Sequence, residues 1–412
     1  MAGDAPKAKT FNCPACSASL SIRGLGQTST YACTSCGALI DISSDEYKIL
    51  RESTKLRYKP SIQLGTRGKI RGEAFEVIGF MVRTDGTGEF EWREYLLFNP
   101  YLGFRWLNEN NGHWTVFRMI KDATPSRRDR KYNGMRFRHF LSGEAKVKFV
   151  YGEFYWEVEV GNKVKVSDSI CPPYMLSSEI NNEEEVWSYG EYLAPSEVQQ
   201  AFLISDLPYR HGVAPNQPFP VTHVGYFATI ASVAIIVLTV FQFIYTSRQM
   251  DKVVSTERHV FSRGDRTPAK VSPFFELTGG TANVKLEAYA EVDNSWLEAD
   301  VSLINAVTGE VREAALEAAY YHGYDDGHWS EGSKHATAYF PHVPDGRYYL
   351  VSEATADERL TTLPFQVVLR RDSPYWGNYL VAFLIMGVPP GILLICRAVF
   401  ESKRWSESDY GG

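Results

Sequence analysis

Cys13, Cys16, Cys33 and Cys36 form two C-x2-C pairs with 16 residues between them, the spacing of a tetrahedral four-thiolate metal site. Four protein ligands leave no open position for a substrate, so the chemistry predicted is structural zinc. A segment of about 40 residues buries too little apolar surface to fold unaided. Zinc binding, about 10–16 kcal/mol in small zinc peptides, would supply that folding free energy. Iron in a rubredoxin-like site satisfies the same thiolate geometry. A redox C-x-x-C calls for a neighbouring βαβ pattern. The stretches FNCPACSASL and YACTSCGALI read instead as short strands entering tight turns, with Gly37 suited to a positive φ. Cys171 and Cys396 stand alone and read as ordinary thiols.

Three other groups of residues could do chemistry. Glu89, Glu91, Glu94 and His113 form a polar set in which Glu89 and Glu91 would share a strand face. Acid–base work needs two carboxyls in different environments. The pattern shows none, and a solvated strand face is the reading. No P-loop, G-x-S-x-G or H-E-x-x-H occurs, so the chain is not expected to be an enzyme. Arg127, Arg128, Arg130 and Lys131 lie in the most basic stretch, Arg118–Arg138. They suit anionic lipid headgroups at about 1 kcal/mol per near-surface cation, or an acidic partner or RNA, beside the reading of a solvated loop. In YYHGYDDGHWSEGSKH, Tyr324 and Trp329 offer flat faces while Asp325, Asp326 and Glu331 offer hard oxygens. Sugar stacking, Ca²⁺ binding and a plain structural loop are the readings there, without EF-hand spacing. Zinc through His322 or His328 is the least favoured.

The elements that must position these residues follow from composition and pattern. The 412 residues are 44% hydrophobic and 22% charged, values of a folded, multidomain chain. A net charge of −6 argues against a dedicated nucleic-acid binder. Six cysteines are too few for a disulfide scaffold. Two uncharged runs, residues 224–245 and 375–396, are each about 33 Å long as helices, enough to cross a bilayer. Tyr226 and Tyr245 flank the first, and Tyr375, Trp376 and Tyr379 begin the second, as in an interfacial belt. Pro389 and Pro390 should kink the second, and Gly387 and Gly391 would permit close helix approach. Neither run carries Asp, Glu, Lys or Arg, so no ion relay is expected. Two spans put both termini on one side. Arg248, Lys252 and Arg258 after the first span weigh against an inside N-terminus, but that rule is weak across long loops. Four metal-binding thiols require a reducing compartment. Both termini are therefore expected in the cytoplasm, with residues 246–374 outside the cytoplasmic membrane.

The order expected is a zinc ribbon at 1–44, a linker at 45–59 and a β-rich domain at 60–206. Span one (224–245), an extracytoplasmic β-sandwich (246–374), span two (375–396) and a cytoplasmic tail (397–412) follow. Period-two alternation in AFEVIGFMVR, AKVKFVY and FYWEVEVGNKVKVSD, broken by Asp85-Gly86, Asn111-Gly112 and Gly161-Asn162, reads as small barrels or sandwiches. The echo of Gly72-Glu73-Ala74 in Gly143-Glu144-Ala145 raises a duplicated barrel. Beyond the first span, residues 246–259 read as a helical or flexible stalk. Seven or eight strands after it then fit a jelly-roll or immunoglobulin-like sandwich. The fold class is thus mainly β with two membrane helices.

The blocks EWREYLLFNPYLGFRWLNENNGHW, VYGEFYWEVEVGNKVKVSDSICPPYMLSSE and EEEVWSYGEYL resemble the bacterial domain of unknown function 4178 over roughly residues 60–205. The resemblance implies a β-rich architecture, joined in similar members to a zinc ribbon and membrane spans, and a link to envelope or membrane-stress systems. It implies no reaction and no catalytic residues. The expected function is that of a two-pass inner-membrane binding, scaffold or sensor protein. It would contact membrane lipids and membrane or cytoplasmic protein partners, with no specific nucleic acid. The alternatives are an accessory subunit of a channel or transporter and a membrane-bound enzyme using the β domain.

Overall fold

A computed structural model of the chain describes residues 9–24, 26–52, 57–121, 130–181 and 184–411. It divides into two compact units, residues 1–224 with 392–412, and residues 225–391.

In the first unit, β1 (Lys9–Asn12) and β2 (Ser19–Ile22) form a hairpin around the first cysteine pair. The second pair lies between β3 (Thr30–Ala32) and β4 (Leu39–Asp41), and β5 (Ile49–Arg51) adds to β4. Next come β6 (Arg67–Ile70), β7 (Glu73–Asp85), β8 (Glu91–Asn99), β9 (Gly103–Asn110) and β10 (His113–Met119). The small hairpin β11 (Lys131–Tyr132) and β12 (Met135–Arg136) precedes β13 (Arg138–Phe154). Then β14 (Lys163–Cys171), β15 (Tyr174–Ile180) and β16 (Glu185–Leu193) lead into α1 (Pro195–Phe202).

Eight of these strands close on themselves in the antiparallel order β7-β8-β9-β10-β16-β15-β14-β13, and β13 returns to pair with β7. It is one barrel, and the short repeated Gly-Glu-Ala has no second barrel behind it. Closure rests on the length of β13. Ala145 faces Val164 of β14 on one side and Asp85 of β7 on the other. The strand then runs on, so that Gly152–Phe154 pair with β3 of the ribbon. The run from Val77 to Thr84 is buried throughout because both faces of β7 are covered. One side chain in two looks into the barrel, and the others join Tyr95, Leu97 and Trp114 under Val198 and Phe202 of α1.

Gly79 and Gly152 oppose each other where β7 crosses β13. A Cβ on Gly79 would lie 2.4 Å from the Glu153 carbonyl oxygen, and one on Gly152 2.3 Å from that of Ile78. Gly152 also has φ +88°, a region costly for other residues.

In the second unit, α2 (Val224–Ser247) and part of α3 (Gly377–Trp405) flank a two-sheet sandwich. Its strands are β17 (Lys252–Ser262), β18 (Lys270–Val271), β19 (Phe275–Leu277), β20 (Ala282–Ala290) and β21 (Ser295–Asn305). They continue with β22 (Val311–Tyr324), β23 (His328–Ser333), β24 (His335–Val343), β25 (Gly346–Ala356) and β26 (Thr362–Arg371). The sheets are β17-β26-β20-β24 and β18-β25-β21-β22-β23, with β19 also on β25. Leu286, Val301, Leu303, Leu350, Val367 and Leu369 fill the space between them. The segment expected as a stalk belongs largely to β17, whose side chains alternate along an edge strand.

Both long helices are apolar enough to cross a membrane. Phe227, Phe243, Ile385 and Ile395 are more than half exposed along them. Thr239 and Tyr379 share a hydroxyl hydrogen bond of 2.8 Å, and Gln242 Nε2 donates to the Tyr375 carbonyl at 3.1 Å. The second helix continues through Pro389 and Pro390 and ends nine residues beyond Cys396, at Trp405.

Gly79→Ala should lower unfolding stability by about 1–3 kcal/mol, the cost of forcing an atom into a packed site. Denaturant titration of the detergent-solubilised chain, set against Gly143→Ala at an exposed position where a Cβ meets nothing within 4 Å, measures it.

Candidate metal centre

The two cysteine pairs are built alike. Cys13 N donates to Ala18 O and Cys33 N to Ala38 O, both at 2.8 Å. Ser17 N and Gly37 N close the turns onto the carbonyls of Cys13 and Cys33 at 2.8 and 2.9 Å. The residue after each pair is left-handed, Ser17 at φ 60° and Gly37 at 74°. Two superposable knuckles therefore aim four sulfurs at one point. Sγ separations are 3.9 Å for Cys13–Cys36 and 3.8 Å for Cys16–Cys33. All four sulfurs lie within 4.8 Å of one another. A tetrahedron with metal–sulfur bonds of about 2.3 Å has edges of about 3.8 Å, so the donor set fits a metal ion. None of the six cysteines, all of them among the described residues, is in a disulfide. Among the described residues no other cluster of His, Cys, Asp and Glu meets this test.

Phe11, Leu20, Ile22, Tyr31 and Ile40 wall the sulfurs, and Phe11 stacks on Tyr47 at 4.4 Å. Burial pushes the Cys33 thiol up to about 12. The bare Cys33 thiolate is thus disfavoured, and a cation that displaces its proton would convert this cost into folding free energy.

The ribbon is fastened to the barrel by a residue that no sequence pattern singled out. Glu153, 1% exposed, follows the Gly152 crossing on β13. Its Oε1 accepts from Arg23 N at 2.7 Å, and its Oε2 accepts from Gly24 N at 2.9 Å and Thr28 Oγ1 at 3.3 Å. These donors lie in the turn that joins the two knuckles. Arg23 also pairs with Glu76 of β7, and Tyr151 OH donates to the carbonyl of Thr34, inside the second knuckle, at 3.3 Å. Burial raises the Glu153 carboxyl to about 7 against these hydrogen bonds.

The remaining sequence candidates do not converge on one site. Glu91 accepts from Tyr58 OH at 3.0 Å and pairs with Lys148 on the outside of the barrel. Glu89 is exposed in the turn before β8. His113 is buried, with Nδ1 3.0 Å from Tyr192 OH and Nε2 3.1 Å from the His211 carbonyl. Glu94 points into the barrel, where Trp92 Nε1 donates to it at 2.7 Å and Arg83 lies 3.5 Å away. Arg83 in turn donates to Glu179 at 2.6 Å. Asp168 shares this interior, and burial raises its carboxyl to about 6. The lumen is therefore charged, which alternation alone does not reveal.

Arg127 and Arg128 lie outside the described residues. Arg130 is half-buried and Lys131 exposed at the start of the β11–β12 hairpin. Tyr324, Asp325, Asp326, Trp329 and Glu331 occupy the exposed β22–β23 hairpin. Trp329 lies across from Gly323 and Glu331 from Tyr321, while Tyr324 pairs with His328 on the opposite face. The hairpin therefore puts Tyr321, Trp329 and Glu331 on one face and Tyr324 on the other. His322 Nε2 bonds Asp293 Oδ1 at 2.6 Å.

Residues 63–195, which take in β6 to β16, match the family model of a domain of unknown function, DUF4178. No curated protein matches the chain. Solved structures give slight likenesses. PNGF-II is 10% identical with a TM-score of 0.21, over 72% of this chain and 69% of that one. The tandem CBM22-1–CBM22-2 domain of Paenibacillus barcinonensis Xyn10C is 10% identical with a TM-score of 0.17, over 77% and 100%. A family two carbohydrate esterase from Cellvibrio japonicus is 10% identical with a TM-score of 0.12, over 29% and 35%. None is similar enough to carry an inference about this chain.

Cys16→Ser or a chelator should raise hydrogen exchange at Thr30–Ala32 and Gly152–Phe154 while β8–β10 keep their protection, as mass spectrometry would resolve. A carboxyl held above its ordinary value supports the folded state at low pH and loses that support as pH rises through its folded value. The stability difference between wild type and Glu153→Gln should therefore fall as pH rises through about 7, measured by denaturant unfolding across that range.

Proposed function

We propose that this chain is a two-pass protein of the bacterial cytoplasmic membrane that works by binding rather than turnover. Zinc is the structural metal of its ribbon. The ribbon and barrel present a binding surface in the cytoplasm, and the sandwich contacts a ligand or partner outside. The observation that carries this reading is the pair of long helices whose apolar side chains face outward. Lipid would satisfy a surface that water would not. The inside placement of the ribbon is supported by its closely grouped thiols, none of them in a disulfide, which need a reducing compartment. No cysteine occurs between Cys171 and Cys396, which suits an oxidising exterior.

The basic surface is a second element of the reading. Arg130, Lys131 and Arg136 flank the hairpin that leads into β13, and Arg138 at the start of β13 stacks over Trp405 at the end of α3, 4.0 Å from the ring centroid. The membrane helix thus ends against this basic edge, where anionic headgroups would be attracted.

One observation favours an accessory role in a channel or transporter complex as a second reading. Pro389 and Pro390 lack the N–H groups that would bond the carbonyls of Ile385 and Met386. Oxygens freed in an apolar span call for donors from neighbouring helices.

Impermeant maleimide should label Ser333→Cys in intact cells; labelling only after lysis would invert the topology. Replacing Arg127, Arg128, Arg130 and Lys131 by serine should weaken flotation of the purified chain, in mild detergent, with vesicles rich in anionic lipid. Affinity purification with mass spectrometry should recover a protein partner at near-stoichiometric yield, and a chain that always purifies alone would count against the binding role.

A further inference from the structure

Arg404 stands near the end of α3, in the stretch expected as a C-terminal tail, yet it is 1% exposed. Its Nη1 donates to the carbonyls of Ala214 at 3.2 Å and Pro215 at 2.5 Å. Its Nη2 donates to the Gln217 carbonyl at 2.7 Å and to Glu401 Oε1 at 3.2 Å, and Nε to Glu401 Oε2 at 3.0 Å. Every guanidinium N–H therefore has an acceptor, and three acceptors come from the loop that precedes α2. Phe219 of that loop packs edge-on against Phe400 of α3 at 5.3 Å.

The loop and the helix end meet over one mouth of the barrel. Asn216, 1% exposed, accepts from Thr115 Oγ1 of β10 at 3.2 Å and donates to the Pro173 carbonyl at 3.4 Å. Trp405 packs against Phe140 at 5.5 Å, at the edge of a cluster of Phe117, Phe140, Ile170 and Met175. Ile170 is two residues from Asp168 on β14, and Met175 faces it across the strand pair, so this cluster lies on the lumen side. Beyond Trp405, Asp409 N donates to the Phe140 carbonyl at 3.0 Å. Asp409 Oδ2 accepts from Ser142 N at 3.0 Å and lies 2.8 Å from His139 Nε2.

We propose that the segment before α2 and the segment after α3 form a lid over this mouth, locked by Arg404, which opens when α3 shifts. A guanidinium that binds five acceptors has no stable half-engaged position, because withdrawal would leave buried carbonyls and N–H groups unpaired at once. Two discrete arrangements result, the condition for a switch. Behind the lid the lumen holds Arg83 Nε, Asn108 Oδ1 and Asp168 Oδ1 buried without partners. Opening would admit water or a small polar solute to them. The lock is a property of the barrel unit and stands whether or not the helices lie in a bilayer.

Hydrogen exchange on the full chain in lipid nanodiscs tests it. In Arg404→Ala the amides of His211, Gln217 and Asp409 should exchange about tenfold faster, while those of Phe80 and Leu97 in β7 and β8 keep their rates. Arg404→Lys, which keeps charge but not the fork, should fall between. Unchanged rates, or an increase that spreads equally through β7 and β8, would overturn the lid. If Arg404→Ala does not fold, Asp409→Asn serves, since it touches neither His211 nor Gln217. A cooperative lid speeds exchange at both, and no change at either refutes it.

Discussion

The pairing of β13 with β7 is the constraint on which the first unit depends. A curled sheet of seven turns leaves two edges, and edges recruit other chains. Here β13 is long enough to meet β14 with its first half and β7 with its second. The crossing is tight enough that backbone of one strand occupies the place of a side chain on the other, which is why glycine stands on both sides of it. Once closed, the lumen is narrow and must be filled by side chains. It is filled partly by ion pairs. Glu94 and Arg83 are each less than 10% exposed, and their mutual attraction offsets a desolvation cost that neither could bear alone.

The same strand explains the place of the ribbon. Past the crossing, Gly152–Phe154 would form a short open edge, and β3 covers it. The ribbon contributes little core of its own, so its register on β13 has to come from fixed points. Glu153 supplies one, by accepting the N–H groups of the turn between the knuckles, and a metal held by the four sulfurs would supply the other. The two act on opposite ends of the same few residues. A small fold whose four sulfurs fit a metal ion is thereby also fastened to the barrel by hydrogen bonds of the protein itself.

What could be read from the amino acids divides by range. The four-cysteine site was legible because each knuckle is local: six residues fix the turn, and two copies announce one centre. The strands of the barrel were legible as alternation, and the two long apolar helices as uncharged runs. Closure was not, since nothing in Gly79 or Gly152 points to a partner some 70 residues away. Glu153 looked like one carboxylate among many in FYWEVEVG. The segment after the first apolar helix reads as a stalk, yet in KVVSTERHVFS more and less exposed side chains alternate, as an edge strand half in water requires. Aromatics and carboxylates interleaved around Trp329 suggested a shared site, yet strand geometry sends neighbours to opposite faces, and only the register decides which of them meet.

The C-terminal residues show how chain order and spatial order can part. Barrel strands end at Leu193 and the loop before α2 at His223, but the arginine that pins this loop is residue 404. During synthesis the eight strands can pair long before Arg404 exists. The three carbonyls it will bind must then be met by water until the sandwich and second helix have been made. The barrel is thus complete in its ladder hydrogen bonds before its mouth is. An interaction formed last, at the periphery, between segments that each continue into a long apolar helix is a contact that can be undone without unpairing a strand. That places the adjustable part of the fold at the junction with the helices and the fixed part at the β7–β13 seam.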